Sequence, residues 1–113
     1  MGSVSDLQAR LRDFRDERGW QKFHDPVSLA QAIAVEAGEL LELFLWRSGD
    51  EALEFARANL DQVRDELADI MIFAINLANR LDIDLDEAIR EKIDLNAERF
   101  PIDGTGDSPP SRK

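Results

Sequence analysis

The sequence predicts an all-α protein, a four-helix bundle completed by oligomerisation. Three observations carry that expectation. Apolar residues recur at three- and four-residue spacing through four long stretches, and no convincing segment alternates with the period of two that a half-buried strand needs. Proline and glycine fall only where helices are expected to end, apart from Gly38. The third helical stretch is apolar on nearly every side, and a chain of 113 residues rarely surrounds one of its own helices completely. A second copy is therefore expected to cover part of it.

The first helix is expected from about Asp6 to Arg18. Ser5 and Gln8 stand at capping-box spacing, Leu7, Leu11 and Phe14 form a narrow apolar stripe, and Gly19 supplies a stop. The segment from Trp20 to Pro26 is too rich in aromatics for a plain spacer. Trp20 and Phe23 either plug one end of the bundle or help line a ligand pocket.

The second helix is expected to start near Leu29, with Ser28 and Gln31 as its capping box, and to run to about Trp46 and Arg47. Leu29, Ile33, Leu40 and Phe44 share one stripe, and Glu36 falls on the same line. Gly38 is expected to allow close helix approach. Residues Glu51 to Ala58 read as a short helix or an ordered connector.

The third helix opens at Asn59 and Gln62 and extends to about Arg80. Val63, Leu67, Ile70, Ala74, Leu77 and Leu81 make one apolar row; Gln62, Glu66, Asp69, Phe73, Asn76 and Arg80 make the adjacent one. The fourth follows Asp84, whose capping partner is Glu87, and runs to about Arg99. Its core-facing residues are expected to be Leu85, Ala88, Ile89 and Ile93, with Lys92, Asn96 and Arg99 on a neighbouring row before Pro101. Residues 1–101 thus read as one helical domain. Residues 102–113, rich in Gly, Ser and Pro, read as a mobile tail.

Composition narrows the function classes. With no cysteine the chain has neither a disulfide framework nor a thiolate metal site, and a reducing cytoplasm suits it. His24 is the only histidine, which excludes a multi-histidine zinc or iron site within one chain. The net charge is -10, from 24 acidic and 14 basic residues, which disfavours a nucleic-acid partner. No apolar run reaches transmembrane length, and the N-terminus has no basic region followed by an apolar one, so neither membrane insertion nor export is expected.

The candidate site is a split acidic pair. Glu36-Ala37-Gly38-Glu39 and Glu66-Leu67-Ala68-Asp69 each place two carboxylates three residues apart, on one face of a helix. One acidic pair on a helix usually marks a solvated face. These two lie in apolar sequence, where an ionised acid is costly without a compensating positive charge. A hard divalent cation with oxygen ligands, magnesium or manganese, would satisfy all four acids at once and leave positions for substrate phosphates. A spare carboxylate can serve as general base for water. Lys92, Asn96 and Arg99 are placed to hold the rest of a polyphosphate. Trp20, His24 and Trp46 can stack on or border a base, and Phe73, on the row of Glu66 and Asp69, joins the candidate substrate contacts. For several of these a bland role competes: lysines snorkel at core edges, and tryptophans near helix ends usually pack.

Two rival metal sites fail on the residues. A carboxylate-bridged di-iron bundle wants a Glu-x-x-His pair on two helices, whereas Glu39 and Asp69 stand three after Glu36 and Glu66. An EF-hand needs a twelve-residue loop with acids and a central glycine, and none is present.

The two acid motifs resemble the signature of the all-α nucleotide pyrophosphohydrolases of the MazG superfamily. Gly19-Trp20-Gln21-Lys22-Phe23-His24-Asp25-Pro26, Leu43-Phe44-Leu45-Trp46 and the stretch from Lys92 through Asn96 to Pro101 extend the likeness to the compact branch that contains the dCTP pyrophosphatases. The resemblance covers roughly Leu7 to Pro101. It implies cleavage of a nucleoside triphosphate between the α and β phosphates, giving monophosphate and pyrophosphate, as nucleotide-pool house-cleaning. It further implies magnesium held by Glu36, Glu39, Glu66 and Asp69, phosphates at Lys92 and Asn96, a base pocket at Trp20, His24 and Trp46, and a homodimer or homotetramer. Two positions depart from that branch: Leu11 stands where a base-pocket histidine is expected, and Phe100 where a tyrosine commonly ends the last helix. Both leave base selection open and neither touches the acids. Related all-α pyrophosphatases for dUTP or phosphoribosyl-ATP are the nearest alternatives, and a non-catalytic, cation-binding helical oligomer is the alternative of a different class.

Overall fold

The computed structural model describes residues 3–102, and within them all regular secondary structure is helical. Five α-helices follow in order: α1 (Val4–Glu17), α2 (Pro26–Glu42), α3 (Gly49–Ala58), α4 (Leu60–Arg80) and α5 (Leu85–Arg99), with one 3-10 turn at Gln21–Phe23. The segment 51–58 is thus part of a full helix. Of the tail expected over 102–113, all but Ile102 lies outside the described residues. Among the described residues no helix is long and apolar enough to cross a membrane.

Helix starts are set by caps two or three residues away from several of those expected. Ser3, not Ser5, caps α1: its hydroxyl accepts from Asp6 N at 3.1 Å and Asp6 Oδ2 accepts from Ser3 N at 3.4 Å, a reciprocal box. Gln8 is drawn inward instead. Asp25 caps α2, accepting from Ser28 N at 2.9 Å and Ser28 Oγ at 2.7 Å. That cap lets the helix begin at Pro26, where a missing N–H costs nothing. The helix stops at Glu42, earlier than expected. Bonds from Leu43 N to Leu40 O and from Phe44 N to Leu41 O tighten its last turn, and Trp46 then takes a left-handed φ of 68°. At Asn59 the side chain makes no N-terminal cap and instead donates to Phe55 O at 2.9 Å, closing α3.

The longest helix, α4, is the centre of the fold. It packs most extensively on α2, also on α1 and α3, while α5 rests chiefly on α1. Leu29, Ile75 and Ala78 are the buried hydrophobic residues among those described. The stripe of α2 expected to face inward does so, with Leu29 buried and Ile33, Leu40 and Phe44 half-buried. On α5 the expectation fails: Ile89 and Ile93 are exposed. Their helical spacing is correct, but no other element among the described residues covers them. Leu67, Met71 and Ile72 on α4, and Leu7 and Phe14 on α1, are exposed as well. An apolar groove of about 380 Å³ runs between α1 and α4, lined by Leu7, Leu11, Phe14, Met71, Ile72 and Ile75 among others. The radius of gyration is 17.0 Å, against about 13 Å for a compact domain of this length.

Candidate active site

The acids meet where α2 packs on α4. Glu36 and Glu39 share one face of α2, Glu66 and Asp69 one face of α4. One carboxylate oxygen from each of Glu36, Glu39 and Glu66 lies within 4.8 Å of the other two. Asp69 stands outside that triplet, close enough for its charge to act on Glu36. Glu36 and Glu66 are half-buried; Glu39 and Asp69 are exposed. The cluster therefore opens to solvent on one side. Gly38 does not bring the helices together, because a Cβ there would meet nothing within 4 Å.

The electrostatics are those of like charges held close. Proton sharing with Glu39 lowers the Glu36 pKa, but burial, proton sharing with Glu66, and the charges of Glu66 and Asp69 outweigh it, and the net displacement is upward. Glu39 is also raised, first by its hydrogen bond with Glu36, then by the charge of Glu36 and by desolvation. Neither the Arg15–Asp16 nor the Arg90–Asp86 ion pair touches this cluster. Glu36 Oε2 and Glu66 Oε2 are buried with no hydrogen-bond partner. Orphaned carboxylate oxygens on two acids that approach within 4.8 Å fit a divalent cation, which takes oxygen ligands and relieves both defects together.

The other sequence-predicted residues are spread over the turn after α1, the corner after α2, α4 and α5. Trp20 packs edge-on against Phe14 at 5.7 Å between ring centroids, with the Arg18 guanidinium over the Phe14 ring at 3.5 Å, so it closes the end of α1. His24 is half-buried with an unpartnered Nδ1, and its charged neighbours are Arg15 and Arg80. Trp46 is 97% exposed at the corner after α2. Phe73 is half-buried on α4, about one turn beyond Asp69. Lys92 is exposed on α5, and Asn96 buries an Oδ1 without a partner.

Sequence reasoning missed three polar residues that the fold buries: Gln8, Arg15 and Asn79, each 6% exposed or less. Arg15 carried a signal, since it lies four residues after Leu11 on the apolar stripe of α1. Asn79 carried another, a polar residue in the apolar second half of α4.

An all-helical chain in which two packed helices bring three carboxylates together, with a fourth adjoining, carries the donor set of an oxygen-ligand cation site. The MazG-like family model matches residues 31–108, so the chain belongs to the MazG-like family. It is 35% identical over 102 residues to dCTP pyrophosphatase 1 of Mus musculus, and 34% identical over 101 residues to dCTP pyrophosphatase 1 of Homo sapiens. Each match covers 88% of this chain, which spans about 60% of the length of these relatives. The fold is similar to the crystal structure of a pyrophosphatase from Archaeoglobus fulgidus, with a TM-score of 0.79 and 38% identity over 89% of this chain and 94% of that one.

Proposed function

We propose that the chain is a metal-dependent nucleotide pyrophosphohydrolase that cleaves (deoxy)nucleoside triphosphates between the α and β phosphates. The observation that carries this reading is the meeting of Glu36, Glu39 and Glu66, with two buried oxygens unpartnered and Asp69 adjoining. The names of the mammalian and archaeal relatives support it.

Glu36, Glu39, Glu66 and Asp69 would hold magnesium, with manganese as a substitute. When bound, the cation neutralises phosphate charge and lowers the pKa of water. The residues do the rest. Glu39 and Asp69, on the solvent side, are placed to take a proton from the attacking water. Lys92 and Asn96 hold phosphate oxygens; Trp20, His24, Trp46 and Phe73 border the nucleoside. Trp46 and Lys92 are exposed, and so are apolar residues on α1, α4 and α5 among the described residues. Self-association, as a homodimer or homotetramer, accounts for both. The enzyme is assigned to nucleotide-pool house-cleaning in the cytoplasm, where its substrates are made.

The test is pyrophosphate release from nucleoside triphosphates by wild type and by Glu36→Gln and Asp69→Asn. We expect both variants to fold and to lose at least about a hundredfold in kcat/KM. Full turnover in either would remove that acid from the site.

A further inference from the structure

We propose that Gln8, together with Asn79, positions the phosphate-holding face of α5, a role that rests on the assignment of Lys92 and Asn96 made above. Within one chain apolar packing holds α5 weakly, since Ile89, Ile93 and Leu95 are exposed. Its start is held by a polar knot instead. Gln8 Nε2 donates to Asn79 Oδ1 at 3.1 Å and to Ile83 O at 2.9 Å, while Gln8 Oε1 accepts from the backbone N–H of Leu85, the first residue of α5, at 3.0 Å. Asn79 Nδ2 donates back to Gln8 O at 3.0 Å, and Arg12 Nη2 donates to Asn79 Oδ1 at 3.1 Å. Gln8 and Asn79 are 4% and 3% exposed. Beside the knot, Ser5 Oγ donates to Asp86 Oδ2 at 3.3 Å. Thus α1, the end of α4 and the start of α5 are joined at one point.

The geometry makes that point a pivot. Lys92 and Asn96 lie about 10 and 16 Å along the helix from Leu85 at 1.5 Å per residue. A change of about ten degrees in the direction of α5 therefore moves Asn96 by about 3 Å. Displacements of 1 Å at a binding group can cost about a hundredfold in rate. A buried network with every amide atom partnered specifies one arrangement, as an apolar contact of the same size does not.

The experiment uses the full chain with magnesium and the variants Gln8→Leu, Asn79→Asp and Lys92→Ala. Gln8→Leu should speed amide exchange in the first two turns of α5 about tenfold while leaving α2 unchanged. It should raise KM for the triphosphate about tenfold with kcat within about threefold. Manganese affinity, measured by electron paramagnetic resonance, should not move, because the acids are on α2 and α4. Asn79→Asp keeps the acceptor for Gln8 and Arg12 but sets a carboxylate oxygen against Gln8 O where the amide had donated, so its KM should rise as well. It also carries the test if Gln8→Leu does not fold. Unchanged exchange in α5, or faster exchange with an unchanged KM while Lys92→Ala raises KM, would overturn the positioning role alone. An unchanged KM in Lys92→Ala would overturn the phosphate assignment and the positioning role with it.

Discussion

Glu36 on α2 and Glu66 on α4 face each other across the helix pair, each with an Oε2 that is buried and unpartnered. Two acids so placed repel unless a proton or a cation lies between them. Without metal, Glu36→Gln should therefore raise the melting temperature measured in EDTA. A lower melting temperature would mean that the Glu36 carboxylate is already compensated by groups of the chain itself.

Metal should reverse that order. Magnesium at a hundred times its dissociation constant should stabilise wild type by about 2.7 kcal/mol. Glu36→Gln and Glu66→Gln should lose most of that gain. Thermal scans with and without magnesium check this, and equal gains in wild type and variants would place the cation elsewhere.

The raised pKa values of Glu36 and Glu39 fix the sign of a pH effect. In EDTA the folded chain binds protons at these acids that the unfolded chain has already released, so stability falls as pH rises through that window. Above it, the repulsion is fully present. Urea unfolding in EDTA from neutral pH down into the carboxylate range should show this contribution increasing as pH falls, and Glu36→Gln should flatten it.

His24 titrates in the other direction. Burial first, then Arg15 and Arg80, hold its pKa below the ordinary value. The unfolded chain takes up a proton near pH 6.5 that the folded chain refuses, so this residue's contribution to stability is lost as pH drops below that value. His24 is the only histidine, so one imidazole signal in a proton NMR titration reports it directly. A midpoint above 6.5 would contradict the burial and the two arginines.

Among the described residues two hold left-handed backbone without being glycine, Trp46 at φ 68° and Asp82 at φ 55°. Asp82 closes α4, where Ile83 N donates to Ala78 O at 2.8 Å. Replacement of either by glycine should stabilise the fold by about 1 kcal/mol. Only Trp46→Gly should also raise KM, because its exposed ring is assigned to the substrate. Urea unfolding beside steady-state kinetics separates the two effects, and an unchanged KM in Trp46→Gly would remove that ring from the base pocket.

Much of this was legible in the sequence because helices and acids announce themselves locally. Glu36 interrupts an apolar stripe, so its inward placement could be read without coordinates, whereas Asp69 precedes an apolar run and is nevertheless exposed. The cap at Asp84 was equally local, and Glu87 N does donate to it at 3.0 Å. The start of α1 was not, because Ser3 and Ser5 compete for one helix and only the reciprocal bond with Asp6 decides between them. The exposure of Ile89 and Ile93 was also hidden. Periodicity says that a face is apolar, not what covers it. The knot of Gln8 and Asn79 depends on residues 71 apart in sequence, which no local pattern pairs.

Phosphorus NMR of the products formed from a panel of canonical and modified nucleoside triphosphates with magnesium tests the central claim most directly. The account predicts nucleoside monophosphate and pyrophosphate in equal amounts. Nucleoside diphosphate with orthophosphate, or no cleavage of any substrate with either magnesium or manganese, would contradict it.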